Sequence, residues 1–313
     1  MIKRTLYFGN PAYLSLQNGQ LVIKLPEVEQ TAVPDFVKQE NIHTVPIEDI
    51  GIMVLDHRRI TLTQGLLEAL LDNNVALLTC SASHMPIGLL LPMEGNTTLT
   101  ERWRVQMEAS LPLKKQLWQQ TVQQKIQNQA ATLKAVYGME VKNMYQWANE
   151  VRSGDNTNLE GRAANYYWKY AFPSIEGFTR GQDGDYPNHL LNYGYAVLRA
   201  VIARALVSSG LLVQMGIHHK NKYNAYCLAD DIMEPYRPYV DRVVMDMVKQ
   251  EEPGETLSKE QKVKLLNIPT MEVYIDGRRS PLEVAASTTT ASVYKCFAGE
   301  IRKILYPEMQ LNG

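Results

Sequence analysis

Two carboxylates and an imidazole are the side chains of this 313-residue protein best placed to do chemistry. Glu160 lies in NLEGRAANYYW (158–168), His219 in GIHHK (216–220) and Glu234 in LADDIMEPYRP (228–238). Such groups form an oxygen-and-nitrogen donor set, which suits Mn²⁺, Mg²⁺ or Zn²⁺ better than a thiolate site does. Asp231, three residues before Glu234, shares its helix face and is an auxiliary candidate, whereas Asp230 is rotated away. Each residue also has a bland reading. A glutamate in a first helical turn complements the helix dipole, and a histidine in a loop is often only a satisfied polar group. His218 leaves open which imidazole matters, because consecutive residues of an extended segment point opposite ways.

The acidic segment is unusual for a second reason. Pro235 and Pro238 each follow an acid by four residues, the acids being Asp231 and Glu234. A helix running through both prolines would deprive those two carbonyls of their donors and kink at the candidate site.

The elements that must hold these residues divide into two regions. Up to about residue 90 the chain reads as mostly strand. In AYLSLQNGQLVIKLP, Asn18-Gly19 supplies the two positive-φ residues of a type I′ hairpin turn. Further strand signals fall at 43–47, 51–55, 75–80 and 86–91. Between them TLTQGLLEALLDNN reads as a helix capped by Thr61 or Thr63 and ended by Asn73-Asn74. From about residue 101 the period becomes helical. Leu113, Leu117, Val122, Ile126, Ala130, Leu133 and Val136 mark one face of a helix ending at Tyr137, with Gly138 as its C-terminal cap. Helices follow at about 139–152, 158–171, 187–209, 224–249, 258–267 and 281–305. Ser258/Gln261 and Ser280/Glu283 have capping-box spacing, and MEVYID with Gly277 reads as a small strand and turn. The expected architecture is α+β: a small β-rich domain over 1–95, followed by a larger all-helical catalytic domain over 96–313.

Composition is that of an ordinary globular protein, 45% hydrophobic and 21% charged, with a formal net charge of −1. That charge disfavours a nucleic-acid role unless basic residues collect locally. Arg162, Arg180, Lys220, Lys222 and Arg237 lie around the motifs and by themselves read as a solvated face; only if they share one groove, with Arg278, Arg279, Lys295, Arg302 and Lys303 extending it, would they supply a DNA-binding track. Cys80, Cys227 and Cys296 have no paired spacing and read as small buried residues rather than disulfides or zinc ligands. MIKRTLYFGNPAYL lacks a signal-like apolar core, and no stretch approaches a membrane span of roughly 20 apolar residues. The expectation is a cytoplasmic protein.

Three motifs in order, NLEGRAANYYW, DYPNHLLNYGYAVL and GIHHKNKYNAYCLADDIMEPYRPYVD, resemble the successive signatures of the CRISPR-associated adaptation integrases, the universal large subunit of spacer acquisition. MEPYRPYVD is most similar to type II versions, and ALLDNNVALLTCSASHMPIGLLLP extends the resemblance to the N-terminal half. The resemblance implies metal ligands at Glu160, at His219 rather than His218, and at Glu234, where many relatives have aspartate. Asn188, Asn192 and Tyr193 match the middle signature. It also implies a homodimer that joins a small ferredoxin-like subunit in a heterohexamer, acting on double-stranded prespacer and CRISPR-repeat DNA.

The chemistry so implied is attack of a DNA 3′-hydroxyl on a repeat phosphodiester, inserting a new spacer, or nicking when water is the nucleophile, with Mg²⁺ or Mn²⁺ as cofactor. Two alternatives use the same residues differently. Another metal-dependent phosphoesterase would need an enclosed pocket. A non-catalytic helical interaction subunit would use Glu160 and Glu234 only as helix caps.

Overall fold

The computed structural model describes residues 2–25, 42–181, 184–250, 254 and 256–310. The chain divides into two compact units, Met1–Gly95 and Asn96–Gly313.

The first unit contains two four-stranded sheets. In one, β1 (Arg4–Phe8), β5 (Ile50–Leu55) and β7 (Ala76–Cys80) run parallel, and β8 (Pro86–Leu90) closes the edge antiparallel to β7. The other has the order β4 (His43–Pro46), β3 (Gln20–Lys24), β2 (Ala12–Gln17), β6 (Ile60–Leu62). β2 and β3 form the expected hairpin, with Asn18 at φ 51° and Gly19 at φ 71°. Pro26, at the end of that segment, lies outside the described residues. Helix α1 (Gln64–Asp72) starts at Thr63, whose side chain accepts the Leu66 N–H. It packs Leu66 and Leu70 against Leu14, Leu21, Ile50, Met53 and Leu77. Truncating either leucine to alanine there costs about 2–5 kcal/mol. Strands β1 and β6 gave no clear signal in the sequence, since one is half-buried and the other spans three residues.

The second unit is helical except for one hairpin. The single long helix expected from residue 101 is two, α2 (Leu99–Glu108) and α3 (Leu111–Tyr137). Ser110 caps α3 through the Leu113 N–H, and Pro112 fits its first turn, where no helical donor is needed. Gly138 ends α3 in the left-handed conformation. Then come α4 (Lys142–Glu150), α5 (Leu159–Ala171) and α6 (Asn188–Ser208). Contrary to the composition-based expectation, α6 is long and apolar enough to cross a membrane, yet 72% of its apolar window is buried within the unit.

The predicted 224–249 helix is interrupted: α7 (Cys227–Met233), a 3₁₀ turn at Glu234–Tyr236, then α8 (Arg237–Gln250). After α9 (Lys259–Leu266), opened by the Ser258/Gln261 capping box, come β9 (Glu272–Ile275), β10 (Arg278–Pro281) and α10 (Leu282–Phe297). The β9–β10 hairpin turns through Asp276 and Gly277, both at positive φ. The unit is therefore not all-helical. The second capping box does not form, because Ser280 is taken into β10 and no side chain caps α10. Cys227 and Cys296 are buried as expected; Cys80 is only half-buried.

Candidate active site

Helix α3 crosses the centre of the second unit. Trp118, Thr121, Lys125 and Asn128 recur at helical spacing, and all four are buried. Polar residues on one stripe would ordinarily face water. Here they face the candidate site instead. Asn128 donates to the Pro235 carbonyl at 2.7 Å and to that of Pro307 at 3.0 Å, and its own oxygen accepts the Met309 N–H at 3.0 Å.

Glu160 is delivered by the first turn of α5. That turn's backbone donors are already satisfied: Asp155 accepts the N–H groups of Leu159 and Glu160, both at 2.9 Å, and Asn158 accepts that of Gly161. A Cβ at residue 161 would collide with the Asn158 amide, so Gly161 makes room for a cap rather than for another element. With the helix end satisfied by its own caps, the Glu160 carboxylate turns to Lys125.

Glu234 stands where α7 gives way to the 3₁₀ turn, so the two prolines do interrupt the helix at the candidate site. The Glu234 carbonyl, which Pro238 cannot serve, instead accepts the Arg237 N–H.

The two carboxylates converge on one cation. Lys125 Nζ lies 2.6 Å from Glu160 Oε1 and 2.7 Å from Glu234 Oε2, and Arg237 Nε is 2.9 Å from Glu234 Oε1. Burial opposes ionisation of Glu234, but Arg237 and Lys125 outweigh it and bring its pKa down to about 2. Burial likewise opposes the Lys125 ammonium, and Glu234 and Glu160 prevail, leaving its pKa raised.

The loop before α7 brings both histidines to Trp118, with their ring centroids 5.3 Å apart, rather than turning them to opposite sides as extended alternation would. His218 stacks flat on Trp118, ring centroids 4.1 Å apart. His219 meets Trp118 edge-on and binds Asp231 Oδ1 through Nδ1 at 2.5 Å. Asp231, with no exposed side-chain surface, also accepts the backbone N–H groups of both histidines. Its hydrogen bond raises the His219 pKa, with the charges of Glu234 and Glu160 adding to it. Burial and the neighbouring His219 lower that of His218. Asp231 is thus a partner of the imidazole in this geometry. Asp230 points elsewhere, to Arg199 at 2.7 Å.

Among the described residues no three histidine, cysteine or acidic side chains stand grouped to hold a metal ion. The donor chemistry nevertheless fits a divalent ion. Two carboxylate oxygens already point at one cation position, and His219, 45% exposed, has Nδ1 tied to a carboxylate, so Nε2 is the ring nitrogen available to a ligand.

The predicted basic residues divide. Lys220 and Lys222 are exposed and, with Lys114, His219 and Tyr223, line an open depression of about 510 Å³. Arg162 is exposed, its guanidinium 4.6 Å above the Trp147 ring. Arg180 is half-buried and held by Asn188 (3.0 Å) and Asn192 (2.7 Å). Arg237 is turned inward, against Glu234 and over the Tyr195 ring, which corrects its placement on a DNA-facing groove. Tyr195 and Tyr167 donate to the buried Asp241 at 2.5 and 3.0 Å. Tyr193, Met245 and Met247 are buried packing residues.

A β-rich unit followed by a helical unit that converges two carboxylates on one cation position agrees with the organisation that the family resemblance implies. The match to the family described as CRISPR associated protein Cas1 spans residues 6–276, and the chain belongs to that family. A CRISPR-associated endonuclease Cas1 of Neisseria meningitidis is 39% identical over 251 residues, 80% of this chain and 77% of that protein. Among solved structures, a casposase bound to integration product superposes with a TM-score of 0.79 at 20% identity, covering 100% of this chain and 96% of that one. A Cas6-RT-Cas1–Cas2 complex gives a TM-score of 0.70 at 20% identity, covering 96% of this chain and 35% of that one. At that identity the two structures speak to the fold.

Proposed function

We propose that this chain is the integrase and endonuclease subunit of spacer acquisition, inserting new spacer DNA into a CRISPR array. One observation carries the reading: Glu160 and Glu234 converge on a single cation position beside a half-exposed His219. A divalent ion, Mg²⁺ or Mn²⁺, held by Glu160, Glu234 and His219 Nε2, would acidify an attacking 3′-hydroxyl or water and offset charge developing on the scissile phosphate. Asp231, by occupying Nδ1, would leave Nε2 to hold the ion. Lys220 and Lys222, exposed beside His219, would hold the DNA backbone. The openness of this depression favours a polymer over a small phosphoester enclosed in a pocket.

Membership of the family, with a structural neighbour in a complex containing Cas2, supports assembly as a homodimer with a small ferredoxin-like subunit, in a heterohexamer on prespacer and repeat DNA. Mixed imidazole and carboxylate ligation favours Mn²⁺ over Mg²⁺ in vitro, and equal or faster strand transfer in Mg²⁺ at matched concentration would refute that preference.

The test is strand transfer and nicking of a branched DNA substrate with Mn²⁺, using Glu160→Ala and His219→Ala variants whose folding is verified by circular dichroism. Each should lose more than about a hundredfold in rate, because several kcal/mol of transition-state stabilisation leaves with the ion. Unchanged activity in both removes the assignment.

A further inference from the structure

The cation between Glu160 and Glu234 is part of the chain. Lys125 reaches the two carboxylates from the middle of α3, with its side chain only 11% exposed, and makes both contacts at ion-pair distance. Two carboxylates converging in a largely buried site repel each other unless a positive charge stands between them. Arg237 serves the far oxygen of Glu234, so Lys125 is the group that lies between the two acids. An ammonium and a divalent ion cannot share that position: both need the same carboxylate oxygens, and the two cations would repel each other at short range.

We propose that Lys125 is a resident counter-cation that holds Glu160 and Glu234 converged in the metal-free protein and is displaced from between them when a divalent ion enters. Lys125 is then a positioning residue. It pre-forms the carboxylate pair and sets metal affinity by competing for it. The flexible four-carbon stem makes displacement feasible, since the ammonium can swing aside without moving α3. Asn128, Thr121 and Trp118 hold the helix itself by contacts that do not involve Lys125. The inference rests on the proposed metal site, and the experiment separates the two.

Lys125→Met keeps an unbranched side chain one atom shorter and removes its charge. Metal-free, the variant should melt below wild type, because the two carboxylates are left to repel. Titrated with Mn²⁺ alone and followed by electron paramagnetic resonance, it should bind at least about tenfold more tightly than wild type, the scale on which groups contacting metal ligands act. Saturating Mn²⁺ should close the gap in melting temperature. Equal or weaker Mn²⁺ binding in Lys125→Met overturns the proposal. Should that variant fail to fold, lysine acylation of the wild-type protein, mapped by mass spectrometry, gives the same answer. Lys125 should be protected without metal and become reactive with Mn²⁺, and unchanged protection overturns the proposal. Glu160→Gln serves as the control. If it binds Mn²⁺ as wild type does, the metal site is wrong; if it loses Mn²⁺ while Lys125→Met gains nothing, only the role of Lys125 is wrong.

Discussion

Asp231 binds the His219 ring through Nδ1 at 2.5 Å while accepting the backbone N–H groups of His218 and His219, so one buried carboxylate fixes both the imidazole and the loop that carries it. Asp231→Asn should preserve the shape and lower Mn²⁺ affinity by roughly 10- to 100-fold, the usual effect of losing a carboxylate behind a metal-bound histidine. The sign of the pH dependence follows from the raised His219 pKa. Without metal, the His219–Asp231 pair stabilises the fold fully below the unfolded imidazole value of 6.5, and that stability is lost as pH rises through the higher folded value. Melting curves from pH 5 to 9 should show this drift in wild type and not in Asp231→Asn. Parallel curves would refute the coupling.

Gly216 opens the same loop under close constraint. A Cβ there would stand 2.6 Å from Asp231 Oδ2 and closer still to the His219 carbonyl oxygen. Gly216→Ala must therefore push the histidine segment off Asp231, costing about 1–3 kcal/mol of stability and most of the strand-transfer activity. Gly65→Ala is the matched control, since nothing lies within 4 Å of the added carbon and α1 gains a better helix former. Activity in Gly216→Ala as high as in the control would show that the loop tolerates displacement.

Asn188 ties down the Arg180 segment. Its amide donates to the carbonyls of Thr179 and Asp185, and its oxygen accepts from Gly181 and Arg180. Asn188→Ala removes these part-buried hydrogen bonds, each worth about 0.5–1.5 kcal/mol, and loosens Arg180, which keeps Asn192. Calorimetry should show a lower melting temperature and anisotropy a weaker affinity for double-stranded DNA. DNA affinity unchanged at every salt concentration would mean that Arg180 does not meet the phosphate backbone.

Asp241 reports on the packing behind the site. Burial lifts its carboxyl to about 6 from 3.8, against the opposing pull of the Tyr195 and Tyr167 hydroxyls and of Arg237 and Arg180. A raised acid stabilises the native state most below the unfolded value, and that contribution disappears as pH climbs through the folded one. The melting temperature of Asp241→Asn, relative to wild type, should therefore improve between pH 4 and pH 7. Each kcal/mol is worth about 2–4 °C in a unit of this size. A difference that stays constant across that window would contradict the shift.

Local rules read well wherever the physics is local. The positive-φ pair at Asn18-Gly19, the caps at Thr63, Gly138 and Ser258, and the interruption imposed by Pro235 and Pro238 depend on residues within a few positions of one another. The break at Ser110 had the same kind of signal, a capping serine followed by Pro112, but the apolar stripe running on through α3 masked it. Lys125 and Asn128 carried no such signal, because polar residues on a helical stripe read as a solvated face.

The amino-acid order by itself determined most of the elements, the two-region organisation and the three acid and imidazole candidates, because turns, caps and proline interruptions are settled by short-range sterics and hydrogen bonding. Tertiary structure decided the rest. It stacked His218 flat on Trp118 and tied His219 to Asp231, turned Arg237 inward to Glu234, and set Lys125 between two acids from different elements. These outcomes depend on which faces of α3, α5 and the Glu234 turn are buried against one another, and a charge is forced to find its partner only once burial has removed water from around it.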